Sequence, residues 1–217
     1  MSKHMALNDI CVIIAGQSPE SKYYNFEKVG LPFFQGKADF GELYPTARVY
    51  CSNPIRNAEK GDILLSVRAP VGATNIAPFE CCIGRGLTAI RPKDGLLVKY
   101  LLFFLRYYES QLSQKGTGTT FNAITQKTIK SIQVPVLSLH DQETIVNKIE
   151  ELFSELDEAV EALETTQQQL SVYRQAVVTA VFPSMSKENT VRLDSISTIS
   201  GGITKGRKLD ENDLISL

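Results

Sequence analysis

The chain has 217 residues, 43% of them hydrophobic and 22% charged, with a formal net charge of −1. That length accommodates one ordinary domain plus an extended element, and no apolar run reaches the roughly 18 residues of a membrane span. The near-zero charge conceals a split. Residues 1–137 carry 16 Lys and Arg against 10 Asp and Glu, residues 138–182 carry 2 against 9, and the remainder carries 5 of each. The first part therefore suits a polyanionic partner, and the second would repel one.

The opening "MSKHM" is polar and lacks the apolar core of a signal peptide, which predicts a cytoplasmic protein. Met5 directly before "ALND" is compatible with a cloning remnant, so the first domain is expected to begin at Ala6. Short apolar runs bounded by Gly and Pro, "GDILLSVRAP" (61–70) and "GLTAIRP" (86–92), read as strands of a mixed, β-rich domain. "LVKYLLFFLRYYESQL" (97–112) reads as a helix, with Tyr100, Phe103, Phe104 and Tyr107 at helical spacing and expected to pack on the sheet. "SIQVPV" (131–136) reads as a last strand, with Pro135 favouring an edge or strand end.

From Ser138 onward the pattern changes. Ser138 and Asp141 form a capping box with Asp in place of the usual Glu. Apolar or small residues then recur at Ile145, Ile149, Leu152, Leu156, Ala159, Leu163, Thr166, Leu170, Tyr173, Val177 and Ala180, in steps alternating between four and three. This is the seam of a left-handed coiled coil. No Gly or Pro intervenes before Pro183, so a helix of roughly 66 Å is expected at 1.5 Å per residue. Such a stripe is too long to bury on a domain of this size, so Ile145, Ile149, Leu152, Leu156, Leu163, Leu170, Tyr173 and Val177 are the predicted dimerisation residues. Glu150, Glu151, Glu155, Asp157, Glu158, Glu161 and Glu164 crowd its first half, whereas the second half contains Arg174. Antiparallel pairing centred near residue 162 separates the like charges; parallel pairing aligns them. The fold class expected is α+β: a β-rich domain at 6–137, then a long coiled-coil helix at 138–183.

The last segment, 184–217, begins again. Leu193, Ile196, Ile199 and Gly202 of "LDSISTISGG" match Leu7, Ile10, Ile13 and Gly16 of "LNDICVIIAG" at a constant offset of 186. It reads as the start of an incomplete second repeat.

Catalytic signatures are missing from the sequence: there is no GxxxxGK[ST], HExxH or GxSxG. "NPI" at 53–55 is not the Asn/Asp-Pro-Pro-Tyr/Phe signature of amino-methyltransferases, and Asp62 in "GDILLS" reads as a turn residue. Cys11, Cys51, Cys81 and Cys82 form no CxxC pair, and only His4 and His140 offer imidazole. Buried free thiols are expected, with no metal site and no catalytic residue. Features suited to nucleic acid are plentiful by contrast. "FFQGKADFGELYP" offers Gln35 and Lys37 to base edges or phosphates. Arg68 and Arg85 sit beside Gly and Pro, where backbone can approach a ligand closely. "KGTGTTFN" clusters Lys115, Thr117, Thr119 and Asn122 around two glycines, suited to phosphate oxygens. Gln17 and Ser18 of "GQSP" complete the predicted DNA contacts.

"GQSP", "LPFFQGKADFGELYP", "GDILLSVRAPVG", "CCIGRGLTAIRP" and "GTGTTFNAITQKTIKSIQVPVLSLHDQETIVNKIEELFSELD" together resemble the specificity subunit of type I restriction–modification systems. The resemblance covers most of residues 7–182. It implies a target recognition domain followed by a conserved helix, where a full subunit has two of each, its helices paired antiparallel as a spacer between two DNA half-sites. It also implies double-stranded DNA, modification subunits and a restriction subunit as partners. It assigns no cofactor to this chain and places S-adenosylmethionine on the modification subunit. With the second recognition domain almost entirely missing, a homodimer reading an interrupted palindrome is expected. The alternatives are a fragment needing a different second half, a regulator that binds modification subunits without DNA, and a recognition domain severed from a methyltransferase.

Overall fold

The computed structural model describes residues 3–114, 123–181 and 191–198. Compactness divides the chain into two units, Met1–Glu155 and Leu156–Leu217.

Two sheets and one helix account for most of the first unit. The four-stranded sheet runs β2-β10-β7-β8, with β2 at Cys11–Ala15, β7 at Ile63–Ser66, β8 at Thr74–Ile76 and β10 at Leu87–Pro92. Every pairing in it is antiparallel. The five-stranded sheet runs β3-β5-β4-β9-β6, built from Tyr24–Asn25, Val49–Cys51, Leu31–Phe34, Cys81–Ile83 and Asn57–Ala58 in that spatial order. Strand alternation explains how the layers are glued, because successive side chains leave a strand on opposite faces. Ile63, Leu65 and Ile90 enter a core shared with helix α2 (Val98–Gln114), whereas Leu64, Leu87 and Ala89 enter a second core with Phe34, Cys81 and Ile83 of the other sheet. The order of layers is helix, sheet, sheet. Cys11, Cys51, Cys81 and Cys82 are all buried and unbridged.

The predicted strands and helix appear close to their expected places. Three differences are informative. Residues ahead of Ala6 are part of the fold: β1 (Lys3–Ala6) pairs antiparallel with β11 (Gln133–Val136), and His4 lies opposite Pro135. The boundary expected at Ala6 is thus corrected by three residues, because β11 would otherwise lack a partner on that side. Second, the α2 aromatics diverge. Tyr100 is buried and donates to the Pro135 carbonyl at 2.8 Å, but Phe103 meets Phe153 edge to face and Tyr107 is mostly exposed. Third, Asp62 does more than turn the chain. It accepts the Glu59 N–H at 2.8 Å, and from inside the fold its two oxygens hold Arg91 at 2.8 and 2.9 Å. That bonding holds the guanidinium charged well beyond its ordinary range.

A one-turn helix, α1 (Leu7–Ile10), packs on α3 (Gln126–Lys130), and the Leu7 N–H donates to Ile132 O at 2.8 Å. Thr125 caps α3 by accepting the Thr128 N–H at 3.2 Å. Helix α4 (Leu139–Val181) has 43 residues and opens as the capping box requires: Ser138 Oγ accepts the Asp141 N–H and donates to the Asp141 carboxylate. In the first unit, α4 turns Gln142 and Val146 inward, one residue away from the predicted seam position Ile145, which is exposed.

In the second unit, the α4 residues from Leu156 to Val181 are all exposed. These include the predicted seam residues Leu156, Leu163, Leu170, Tyr173 and Val177; Leu163 is 70% exposed. A further one-turn helix, α5 (Leu193–Ile196), reproduces α1. The residue before it, Arg192, has φ −68° and ψ 139°, against −66° and 140° for Ala6 before α1. Among the described residues, no helix is long and apolar enough to cross a membrane, and no group of three or more His, Cys, Asp and Glu side chains could hold a metal ion.

Candidate nucleic-acid interface

Six of the ten predicted contact residues lie in described segments, and hydrogen bonds between their loops bring these segments together. The hub is the turn at residues 84–86. Gly84 N–H donates to Phe34 O at 2.8 Å, tying the turn to the segment that carries Gln35. Gln17 N–H donates to Ile83 O at 3.0 Å, and Ser18 Oγ accepts the Arg85 N–H at 3.2 Å. Val67 N–H donates to Gly86 O at 2.9 Å, which places Arg68 beside the same turn. Gln17, Gln35, Lys37, Arg68 and Arg85 are all exposed there, and Ser18 is half-buried.

The glycines at this hub are required by the protein's own packing. A Cβ on Gly86 would stand 2.2 Å from Gln35 O, and one on Gly16 would stand 2.2 Å from Gly84 O. Only glycine lets these loops touch, and their contact is what assembles the polar surface.

Next to the hub lies an open cavity of ≈ 950 Å³, whose walls include Phe26, Gln35, Lys37, Asp39, Arg48 and Pro70. Its electrostatics centre on Asp39. One carboxylate oxygen accepts the Gln35 N–H at 2.8 Å, and the other accepts from Arg48 Nη2 at 2.7 Å. The same nitrogen donates to Ala38 O at 2.7 Å. The carboxylate thereby fixes two donors at once, and holds Arg48 in the cavity wall. Arg48 and Asp39 were not predicted from sequence. "PTARVY" sets no Gly beside Arg48, and the signal that distinguishes it is the acid nine residues earlier. Phe26, 77% exposed, adds an apolar plate to the rim.

The predicted residues Lys115, Thr117, Thr119 and Asn122 lie outside the described residues. The described chain resumes beside the hub, where Ala123 bridges Arg68 and the Ile124 N–H donates to Val67 O at 3.1 Å. Chemically, this surface offers amide, ammonium and guanidinium donors with a small apolar rim. Such a set suits phosphates and the acceptor edges of bases.

Comparison with known proteins points the same way. Residues 2–169 match the family model described as type I restriction modification DNA specificity domain. A Methanocaldococcus jannaschii chain named as the MjaX specificity subunit of a type I restriction enzyme is 44% identical over 138 residues, covering 63% of this chain and 32% of that one. The crystal structure of the HsdS subunit from Thermoanaerobacter tengcongensis superposes with a TM-score of 0.72 at 44% identity, covering 84% of this chain and 45% of that one. A chain from a structure of the type I R-M system, solved for its complex assembly and conformational transition, gives 0.74 at 46% identity, with 82% and 44% covered. The chain thus spans less than half the length of these relatives.

Proposed function

The chain belongs to the type I restriction modification DNA specificity domain family, and from that premise we propose that it is a sequence-specific DNA-recognition subunit. It reads one half-site with the surface around residues 84–86 and pairs with a second copy through α4. The observation that carries the reading is the convergence of Gln17, Ser18, Gln35, Lys37, Arg68 and Arg85, from four separate stretches of sequence, on one exposed surface.

In this reading the recognition domain runs to residue 137 and the helix at 138–183 is spacer and dimer interface. Residues 184–217 open a second repeat. Two copies related by a two-fold axis require a target of the same symmetry, an interrupted palindrome. The long acidic helix needs no phosphate contacts if modification subunits dock on it. Catalysis and S-adenosylmethionine then belong to those subunits, with a restriction subunit as a further partner, in the cytoplasm. The exposed Leu193 and Ile196 of α5 favour a second reading, in which a different half-subunit completes the assembly.

The deciding experiment maps methylated adenines in DNA from cells that carry this protein with its modification subunits. A palindromic interrupted motif is the expected result, and an asymmetric motif selects the second reading. A complete lack of methylation, with the complex assembled, overturns DNA recognition in favour of a regulator.

A further inference from the structure

Gln142 is the most deeply buried polar side chain of α4, with 0% exposure. Its three partners lie in two separate pieces of the fold. Nε2 donates to Gly95 O at 2.9 Å and to Leu137 O at 3.0 Å, while Oε1 accepts the Leu97 N–H at 2.9 Å. Both amide donors are used, and so is the oxygen. The partners are the turn before α2, the residue that follows β11, and the N–H just ahead of the first turn of α2. A leucine here would bury as well and satisfy none of the three.

Further along the same face of α4, Val146 is buried, Glu150 pairs with Lys99, and Phe153 meets Phe103 edge to face with ring centroids 6.0 Å apart. The spacing 142, 146, 150, 153 follows one helical stripe. Above Gln142, then, the contacts include a buried aliphatic side chain, a solvent-accessible ion pair and an aromatic pair, with Ile149 and Leu152 lining an open pocket beside Phe103, Arg106 and Tyr107. Apolar contacts are non-directional and exposed ion pairs weak. Hydrogen bonds of good geometry constrain both distance and angle.

We infer that Gln142 is a positioning residue that fixes the direction in which α4 leaves the recognition domain, and through it the spacing between half-sites. The spacing part rests on the proposed DNA-reading dimer; the clamp itself does not. The lever arm gives the scale. From residue 142 to the predicted pairing centre near 162 is roughly 30 Å at 1.5 Å per residue. A tilt of about 10° at the base therefore moves that centre by about 5 Å, more than the roughly 3.4 Å between successive base pairs. Loose anchoring at residue 142 would blur the spacer by at least one base pair.

The test uses the full chain with Lys60→Cys and Ser154→Cys for spin labels, since the four native thiols are buried. Labelled chain is diluted with unlabelled chain, and the distance distribution is measured by pulsed electron resonance. Gln142→Met keeps the packing volume and removes all three hydrogen bonds. Leu97→Pro removes the N–H that Oε1 accepts, just ahead of the first turn of α2, and Leu97→Ala controls for the loss of the leucine side chain, which packs on the core. The expected result is a narrow distribution in the parent chain, at least twofold broader with Gln142→Met and intermediate with Leu97→Pro. Lys99→Met serves as a control and leaves the width unchanged. Widths that match the parent in both variants overturn the clamp; if Gln142→Met does not fold, Leu97→Pro alone decides. In parallel, DNA selections use two half-sites with variable spacers. Discrimination against a spacer wrong by one base pair should fall at least threefold in Gln142→Met, with half-site preference intact. If the parent chain selects no bipartite DNA, the functional reading fails while the spin-label result still judges the clamp.

Discussion

Leu163 lies at the middle of the α4 stripe and is 70% exposed in one protomer. In an antiparallel pair centred near residue 162 it would meet the same region of its partner, so each dimer buries it twice. Fully burying a leucine side chain is worth about 1.5–3 kcal/mol, and truncating it to alanine at a site this exposed in the monomer forfeits about 1–2 kcal/mol per copy. The dimer loses about 2–4 kcal/mol, which raises its dissociation constant roughly 30- to 700-fold at 1.4 kcal/mol per decade. Leu163→Glu should do more, because Glu161 and Glu164 already make that turn acidic. Sedimentation equilibrium over a thousandfold range of protein concentration reads the constant directly. The control is Gln168→Ala, which sits opposite the stripe and is exposed; it should leave association unchanged. Equal dissociation constants for Leu163→Ala and Gln168→Ala would refute the argument that the heptad stripe holds the dimer.

The DNA surface and the buried thiols yield two further expectations. Lys37→Ala should weaken binding to all sequences alike and lower the salt slope by about one, whereas Arg48→Ala should cost about 1–3 kcal/mol on the preferred half-site alone; titrations on specific and scrambled duplexes at several salt concentrations separate the two, and equal losses on both duplexes with Arg48→Ala would remove it from base reading. Burial pushes the thiols of Cys11 and Cys81 up to about 12 and that of Cys82 to about 11. The folded state thus holds these protons more tightly than the unfolded chain, whose thiols titrate near 8.5. Stability is complete below about pH 8.5 and falls above it, by up to about 1.4 kcal/mol per pH unit for each thiol, until the folded values are passed. Urea titrations at pH 7, 8, 9 and 10 should show a flat midpoint, then a decline that steepens above pH 9; serine at all three positions should remove that part of the decline.

How much of this could be read in the sequence depended on the range of the interactions. The capping box of Ser138 and Asp141 and the heptad steps of α4 are local, so spacing alone reveals them. The strands at 63–66 and 87–92 announce themselves by their Gly and Pro boundaries. The pairing of β1 with β11 joins residues some 130 positions apart, and nothing in "MSKHM" signals it. Gln142 is similarly hidden: it looks like any polar helix residue, and two of its partners, Gly95 and Leu97, are more than forty residues upstream. At the candidate interface, residue chemistry picked out Gln35, Arg68 and Arg85, but their meeting at the 84–86 turn is a property of strand topology. Arg48 was missed because its orientation comes from Asp39, and a lone arginine carries no mark of being held.

The two copies of the opening turn separate what a local sequence encodes from what only a tertiary partner can supply. α1 and α5 share backbone angles at the residue before the helix, and each closes with the same backbone bond, Cys11 N–H to Leu7 O in one and Ser197 N–H to Leu193 O in the other. The turn therefore forms without a core. Burial does not follow: Leu7 is fully buried against the neighbourhood of Ile129 and Ile132, whereas its counterpart Leu193 is 64% exposed. Ile10 and Ile196 repeat the contrast. Leaving two such side chains in water forgoes about 1.5–3 kcal/mol each, a gain open to any surface that presents what α3 and β11 present to α1. If, as in the second reading proposed above, a different half-subunit completes the assembly, the surface that covers α5 is expected to present a short capped helix followed by a strand, with isoleucines facing the turn.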